Sequence, residues 1–273
     1  MTRLRILFVT DLAYEARGRR YGDEDVDLTR RLREHVDLAL CHPRDAAALM
    51  DAFDVVVVRN SGPVLGYQAA HDAFRDRALA TGMPVFTELT GRGDQAGKQY
   101  LLELGAAGYP VIPTVSSPTD LDRLPVVDEY AVKPRLGADS HGLRFLSAAE
   151  VRALADDDLL IQPRIPFAYE VSFYFVDDRF QYALYAPDPT QRWELAPYSA
   201  TPDDLAFADR FIAWNPIRHG IQRVDACRAP SGELMLVELE DLNPYLSLHL
   251  VTEAQRVAFV AAMVASITGL ARG

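Results

Sequence analysis

Four consecutive valines, Val55-Val56-Val57-Val58, constrain the fold more than any other feature of the sequence. Side chains alternate between the two faces of a strand, so an all-valine strand is apolar on both faces and has to be covered on both. Short apolar runs also stand at 6–9, 36–40 and 84–87, and the segments between, 26–34, 45–53 and 68–81, carry apolar residues at helical spacing. Strands alternating with helices predict a parallel sheet with helices on both faces. This is a Rossmann-like layer without a dinucleotide fingerprint. After Val9 the chain reads Thr10-Asp11-Leu12-Ala13 rather than Gly-x-Gly-x-x-Gly, and hydride transfer is not indicated.

The glycine-rich stretch Thr90-Gly91-Arg92-Gly93-Asp94-Gln95-Ala96-Gly97 predicts a boundary, and the pattern changes beyond it. A helix is expected over 98–106, ended by Gly108 and Pro110. Two strand pairs follow, 169–176 with 179–185 around Asp177-Asp178, and 221–227 with 233–240 around Pro230-Ser231-Gly232. A helix over 253–270 closes the chain. The reading is an α/β layer followed by an α+β portion. With 28 basic and 39 acidic residues the net charge is -11, which argues against non-specific nucleic-acid binding. No apolar stretch reaches the roughly 20 residues of a membrane span, and residues 1–5 run straight into the first strand with no signal-peptide pattern. Cys41 and Cys227 have neither metal spacing nor a catalytic motif and are read as small core residues. A cytoplasmic location is the expectation. The sequence does not fix the oligomeric state, and a homodimer is compatible with it.

Four segments carry candidate chemistry. In Val132-Lys133-Pro134, a strand ends at a lysine and runs into a loop in which Gly137 and Gly142 let backbone N–H groups approach an anion. Lys133 offers a point charge and Ser140 a hydroxyl, but the Gly-Lys-Ser/Thr of a P-loop is missing. The apolar run 159–165 is broken by Pro163, which predicts an edge or hinge whose backbone groups can read a flat ring. Strand alternation sets Arg223 beside Asp225 on one face, and Glu238 beside Glu240 on one face of the partner strand. If the 230–232 turn closes that hairpin, Asp225 lies close to Glu238 or Glu240. Carboxylates gathered in this way need a cation, and Mg²⁺ takes oxygen ligands. A solvated acidic face is the alternative, but Leu234, Met235, Leu236, Val237 and Leu239 favour a buried strand. Asp241 is a rival ligand to Asn243. Arg59 and Asn60 follow the valine strand at its carboxyl end, where ligands bind in open α/β sheets. Arg59 is expected to clamp a substrate carboxylate or to form a turn salt bridge. The basic, aromatic segment from Tyr14 to Tyr21 reads as a lid or as a solvated loop.

Taken together, Lys98, Val132-Lys133-Pro134, Ile161-Gln162-Pro163, Arg223-Val224-Asp225 and the acidic strand Glu238-Leu239-Glu240-Asp241-Leu242-Asn243-Pro244-Tyr245-Leu246-Ser247-Leu248 resemble the ATP-grasp superfamily. More narrowly they are similar to the group containing the O-ureidoserine cyclo-ligase of cycloserine biosynthesis. The resemblance implies a pre-ATP-grasp layer over 1–93, a small ATP-grasp subdomain over 94–165 and a large one with the metal site over 166–273, with the nucleotide between the two subdomains. It implies ATP and Mg²⁺ as cofactors. Lys98, Lys133, Gly137, Ala138 and Ser140 would hold phosphates, with Gln162, Arg164 and Ile165 at the adenine and Glu170 near the ribose. Asp225, Glu240 and Asn243 would bind the metal, and Arg223 and Arg192 would face the transferring phosphoryl group. Arg59 and Asn60 remain the substrate candidates. The implied activity is an ADP-forming ligase or cyclo-ligase that activates a small amino-acid-like carboxylate as an acyl phosphate for a nucleophile. The alternatives are phosphoryl transfer on the same fold and a non-catalytic nucleotide-binding regulator.

Overall fold

The computed structural model describes residues 3–16, 19–59, 64–136, 142–155, 158–188 and 190–273. The chain opens with β1 (Arg5–Val9), the short pair β2 (Glu15–Ala16) and β3 (Arg19–Arg20), α1 (Gly22–Leu32), β4 (Asp37–Cys41), α2 (Ala46–Leu49), β5 (Val55–Val58), α3 (Gln68–Thr81) and β6 (Val85–Phe86). Four of these strands make a parallel sheet in the order β4-β1-β5-β6. All four valines of β5 are buried. Val55 and Val57 join Ile6, Phe8 and Leu28 on one face, while Val56 and Val58 join Leu7, Phe74 and Ala78 on the other. Each such side chain contributes about 1.5–3 kcal/mol of burial, and both faces of the strand collect it. α3 stops where Gly82 adopts φ 67°, a left-handed conformation that suits glycine.

Next come α4 (Tyr100–Ala106), β7 (Tyr130–Pro134), β8 (Arg144–Leu146), α5 (Ala148–Arg152) and β9 (Leu159–Pro163), whose strands form a three-stranded antiparallel sheet ordered β8-β7-β9. The last part holds β10 (Tyr169–Val176), β11 (Arg179–Ala186), β12 (Ala196–Tyr198), α6 (Pro202–Trp214), β13 (Ile221–Arg228), β14 (Leu234–Glu240) and α7 (Glu253–Leu270). Its five strands pair antiparallel in the order β12-β11-β10-β13-β14. One face of this sheet packs Phe173, Phe175 and Val224 with Phe211 of α6 and Leu101 and Leu104 of α4. The other packs Tyr174, Tyr182 and Ile221 into the cluster that holds Phe259 and Met263 of α7 together with Ile6 and Phe8 of β1. Thr252 starts α7 with a capping box to Gln255.

Several boundaries differ from expectation. α1 begins at Gly22, four residues before the apolar spacing that announces it, because Asp23, Glu24 and Asp25 suit the positive end of a helix while showing no hydrophobic period. The expected 45–53 helix is a single α turn, α2, followed by a 3₁₀ turn at Met50–Ala52. α4 begins at Tyr100, which leaves Lys98 before the helix, its backbone N–H donating to Arg135 O. β9 ends at Pro163 on an edge of its sheet.

Candidate active site

Residues of the three-stranded and five-stranded sheets line a cleft of about 880 Å³, with Lys98, Lys133, Gln162, Arg164, Ile165 and Glu170 among apolar Ile112, Leu143, Phe145 and Phe167. A second chamber of about 1010 Å³ is lined by Tyr21, Ser172, Tyr174, Trp193, Arg223, Asp225, Glu240 and Tyr245. Glu170, Arg192, Val237 and Glu238 line both, so the two chambers share a wall.

The β13–β14 register explains the convergence of charge. Arg223 pairs with Glu240 and Asp225 with Glu238 across the ladder, so all four side chains rise from one face, as alternation predicts. Arg223 donates from Nε to Asp225 Oδ1 at 2.9 Å, from Nη2 to Asp225 Oδ2 at 2.8 Å and to Glu240 Oε1 at 2.5 Å, and from Nη1 to Tyr245 O at 3.0 Å. Lys98 Nζ lies 2.5 Å from Glu238 Oε1, and Arg192 Nε donates to Glu170 Oε2 at 2.6 Å. Burial pulls the Lys98 ammonium down, but Glu238 outweighs it and the net shift is upward. Lys133 is pushed down to about 8, first by burial and then by Lys98 and Arg192, with Glu238 acting against them. Burial, with Asp225 and Glu238 close by, raises the Glu240 carboxyl despite Arg223.

Most of the predicted residues meet here. Lys98, Lys133, Gln162, Arg164, Ile165, Glu170 and Arg192 line the first chamber, and Arg223, Asp225 and Glu240 the second. Gln162 donates to Thr114 Oγ1 at 2.9 Å, and Arg164 pairs with Glu129 and lies over the Phe145 ring at 4.6 Å. Asn243, three residues past β14, is not among the residues lining either chamber. Gly137, Ala138, Ser140 and Asn60 lie outside the described residues.

Burial bears on two alternatives that the sequence leaves open, and Arg59 takes the salt-bridge one. Arg59 does not reach into a chamber: it is 3% exposed and turned inward, donating to Asp25 Oδ1 at 3.1 Å, Glu24 Oε1 at 3.3 Å and Pro244 O at 2.8 Å. A carboxylate clamp needs an open approach to the guanidinium, and burial removes it. Asp241 is likewise no rival metal ligand. It is fully buried, its Oδ2 accepting from Gly93 N and Asn215 Nδ2 at 2.8 Å each and its Oδ1 from Gln95 N at 2.9 Å. In return Asp94 Oδ1 accepts from Asp241 N at 2.6 Å and Leu242 N at 2.8 Å. The glycine-rich loop is therefore a strap that fastens the approach to Lys98 onto the end of β14. Its glycines are required by proximity, since a Cβ on Gly91 would stand 2.4 Å from Asp241 Oδ2 and one on Gly93 2.7 Å from Leu239 O. Sequence reasoning missed Trp193 as a chamber wall, and it singled out Tyr21 only within a lid or solvated loop and Tyr245 only within the acidic-strand motif; Tyr21 and Tyr245 meet with ring centroids 4.8 Å apart. Nothing in their spacing signals this.

The acidic wall fits Mg²⁺. Its donors are all oxygens, and the Glu240 carboxyl is raised first by burial and further by Asp225 and Glu238, against Arg223, so a cation there would lower the cost of keeping these carboxylates charged. Among the described residues no group of three or more His, Cys, Asp and Glu forms a cage. Mg²⁺ commonly binds through one or two carboxylates and completes its shell from water and nucleotide phosphates.

No protein-family model matches the chain, and no curated protein matches it. Solved structures do. D-cycloserine synthetase DcsG superposes with TM-score 0.75 at 22% identity, over 96% of this chain and 99% of that one. D-alanine–D-alanine ligase from Bacillus anthracis, complexed with ATP, gives 0.69 at 11% identity over 100% and 99%. The ATP-grasp ligase PsnB, complexed with precursor peptide PsnA2 and AMPPNP, gives 0.65 at 14% identity over 98% of each chain. The chain thus has the fold of the ATP-grasp ligases along its whole length.

Proposed function

We propose that this chain is an ATP-dependent ligase or cyclo-ligase that forms ADP and phosphate while joining a small amino-acid-like carboxylate to an amine or to a nucleophile of the same molecule. The observation that carries the reading is the shared wall: a cleft lined by Lys98 and Lys133 has Glu170, Arg192, Val237 and Glu238 in common with a second chamber walled by Arg223, Asp225 and Glu240. In this reading residues 1–93 serve as the pre-ATP-grasp layer, and the small and large subdomains span 94–165 and 166–273. The first chamber takes the nucleotide, adenine among Ile112, Phe145, Ile165 and Phe167 and phosphates toward Lys98 and Lys133. Asp225 and Glu240, with Asn243 as the third candidate, would hold Mg²⁺, which when bound neutralises charge on the phosphoryl group in transfer.

The second chamber takes the carboxylate and its nucleophile. A carboxylate oxygen attacks the γ-phosphorus, the bond to the bridging oxygen breaks, and ADP leaves. The amine nitrogen then attacks the acyl carbon, the carbon–oxygen bond to phosphate breaks, and the amine's proton departs with the phosphate. Lys98, Lys133, Arg192 and Arg223 orient and neutralise, and no side chain becomes a covalent nucleophile. The solved neighbours include a D-cycloserine synthetase and an ATP-grasp ligase complexed with a precursor peptide, in keeping with a role in natural-product assembly.

The test is a screen of the purified protein with Mg-ATP against amino acids and amines, singly and in pairs, for ADP and phosphate in equal amounts. Asp225→Asn and Glu240→Gln should each lower turnover on the order of 100-fold or more. AMP as a product, or a stable phosphorylated product with no condensed one, would overturn the reading.

A further inference from the structure

The second chamber leans on residues that never touch it. β14 continues past Glu240 into 243–248, which supplies Tyr245 and Ser247 to the chamber wall and turns through Ser247 at φ 52°. The backbone of this segment is held from outside. Arg59 Nη1 donates to Pro244 O at 2.8 Å, and Glu24 accepts from Leu246 N through Oε1 at 2.7 Å and from Leu248 N through Oε2 at 3.3 Å. Tyr182 Oη donates to Leu246 O at 2.8 Å. Behind these contacts Arg59 is paired with both Glu24 and Asp25, and Asp25 accepts from Thr10 Oγ1 at 2.6 Å. The side chains of Arg59, Glu24 and Asp25 are 4%, 5% and 0% exposed. Three charges buried this deeply are expensive to keep unless they fix a geometry.

We infer that Glu24, Asp25 and Arg59 form a clamp by which the N-terminal parallel sheet sets the position of residues 243–248, and through them of the acidic wall. The coupling runs over contacts already described: Arg59 holds Pro244, and the next carbonyl, Tyr245 O, receives Arg223 Nη1, whose guanidinium sits between Asp225 and Glu240. These three are positioning residues. They act on the metal side of the site and leave the nucleotide cleft alone, since Lys133, Gln162 and Ile165 belong to the three-stranded sheet and the segment that follows it. The inference rests on the proposed nucleotide reading and assigns a role within it.

The experiment compares wild type with Glu24→Gln and Arg59→Met at pH 7.5. Two quantities are read: amide exchange of 244–248 against 159–163, and AMPPNP affinity by calorimetry with Mg²⁺ and with EDTA. Glutamine has one carbonyl oxygen where glutamate offers two acceptors, so Glu24→Gln loses one backbone contact and decides the matter if Arg59→Met does not fold. The expected result is exchange at least tenfold faster in 244–248 only, with at least a tenfold loss of the Mg²⁺ enhancement of affinity and an EDTA affinity within twofold of wild type. A folded Glu24→Gln with its Mg²⁺ enhancement intact, or with equal losses in both conditions, would overturn the clamp. A wild type that binds AMPPNP in neither condition would instead bring down the nucleotide reading, and the clamp's role with it.

Discussion

Lys133 is half-buried near two other cations, Lys98 and Arg192, with Glu238 as the counter-charge, and desolvation first and then those cations push its ammonium down to about 8. A phosphate placed against it would draw that value up again. Above about pH 8, binding a nucleotide then takes up a proton, and AMPPNP affinity should fall by up to about tenfold per pH unit. Below pH 8 this group adds no slope. Lys133→Met removes a charged hydrogen bond worth about 1.5–3 kcal/mol. It should weaken AMPPNP about 10- to 150-fold at pH 7 and erase the alkaline slope. Calorimetry from pH 6.5 to 9.5 reads both, and a variant that keeps the slope would assign it to another group. Lys98 differs because Glu238 already sits 2.5 Å away and holds it charged.

Helix α1 shows the same logic one scale up. Burial, with Arg59 acting against it, pushes Glu24 from its ordinary 4.5 up to about 7. The unfolded chain releases this proton near 4.5 and the folded one holds it until about 7, so the native state is favoured below 4.5 and loses that advantage as pH rises toward 7. The loss is on the order of 3 kcal/mol for this group. Urea unfolding at pH 4 to 8 should show wild type losing stability over that window relative to Glu24→Gln; parallel curves would contradict it. Nothing in the sequence announces Glu24, because a charged first turn looks like an ordinary helix start. The elements with strong periodicity were legible. The valines of β5 imply a doubly covered strand, and alternation alone sets Arg223, Asp225, Glu238 and Glu240 on one face. The sequence leaves Arg59 between a substrate clamp and a salt bridge, and Asp241 as a rival to Asn243, for one reason: burial and the partners of a polar side chain come from residues distant in sequence, Pro244 for Arg59 and Gly93 for Asp241. The strap glycines were read as a boundary because close approach leaves no local mark.

Across the whole molecule, α7 and the cluster it joins pack the parallel sheet against the five-stranded sheet, and the strap fastens Lys98 to the end of β14. The two chambers sit where these parts converge with the three-stranded sheet. In this structure the site neutralises itself, with Lys98 on Glu238, Arg192 on Glu170, and Arg223 on Asp225 and Glu240. On the proposed function, a magnesium nucleotide would trade these internal pairs for its own charges, an exchange of partners. A crystal structure with AMPPNP and Mg²⁺ tests it most directly. The account predicts Lys98 and Lys133 on phosphate oxygens, with the metal on Asp225 and Glu240. Phosphates out of reach of both lysines, with the Lys98–Glu238 and Arg223–Asp225 pairs unchanged, would contradict it.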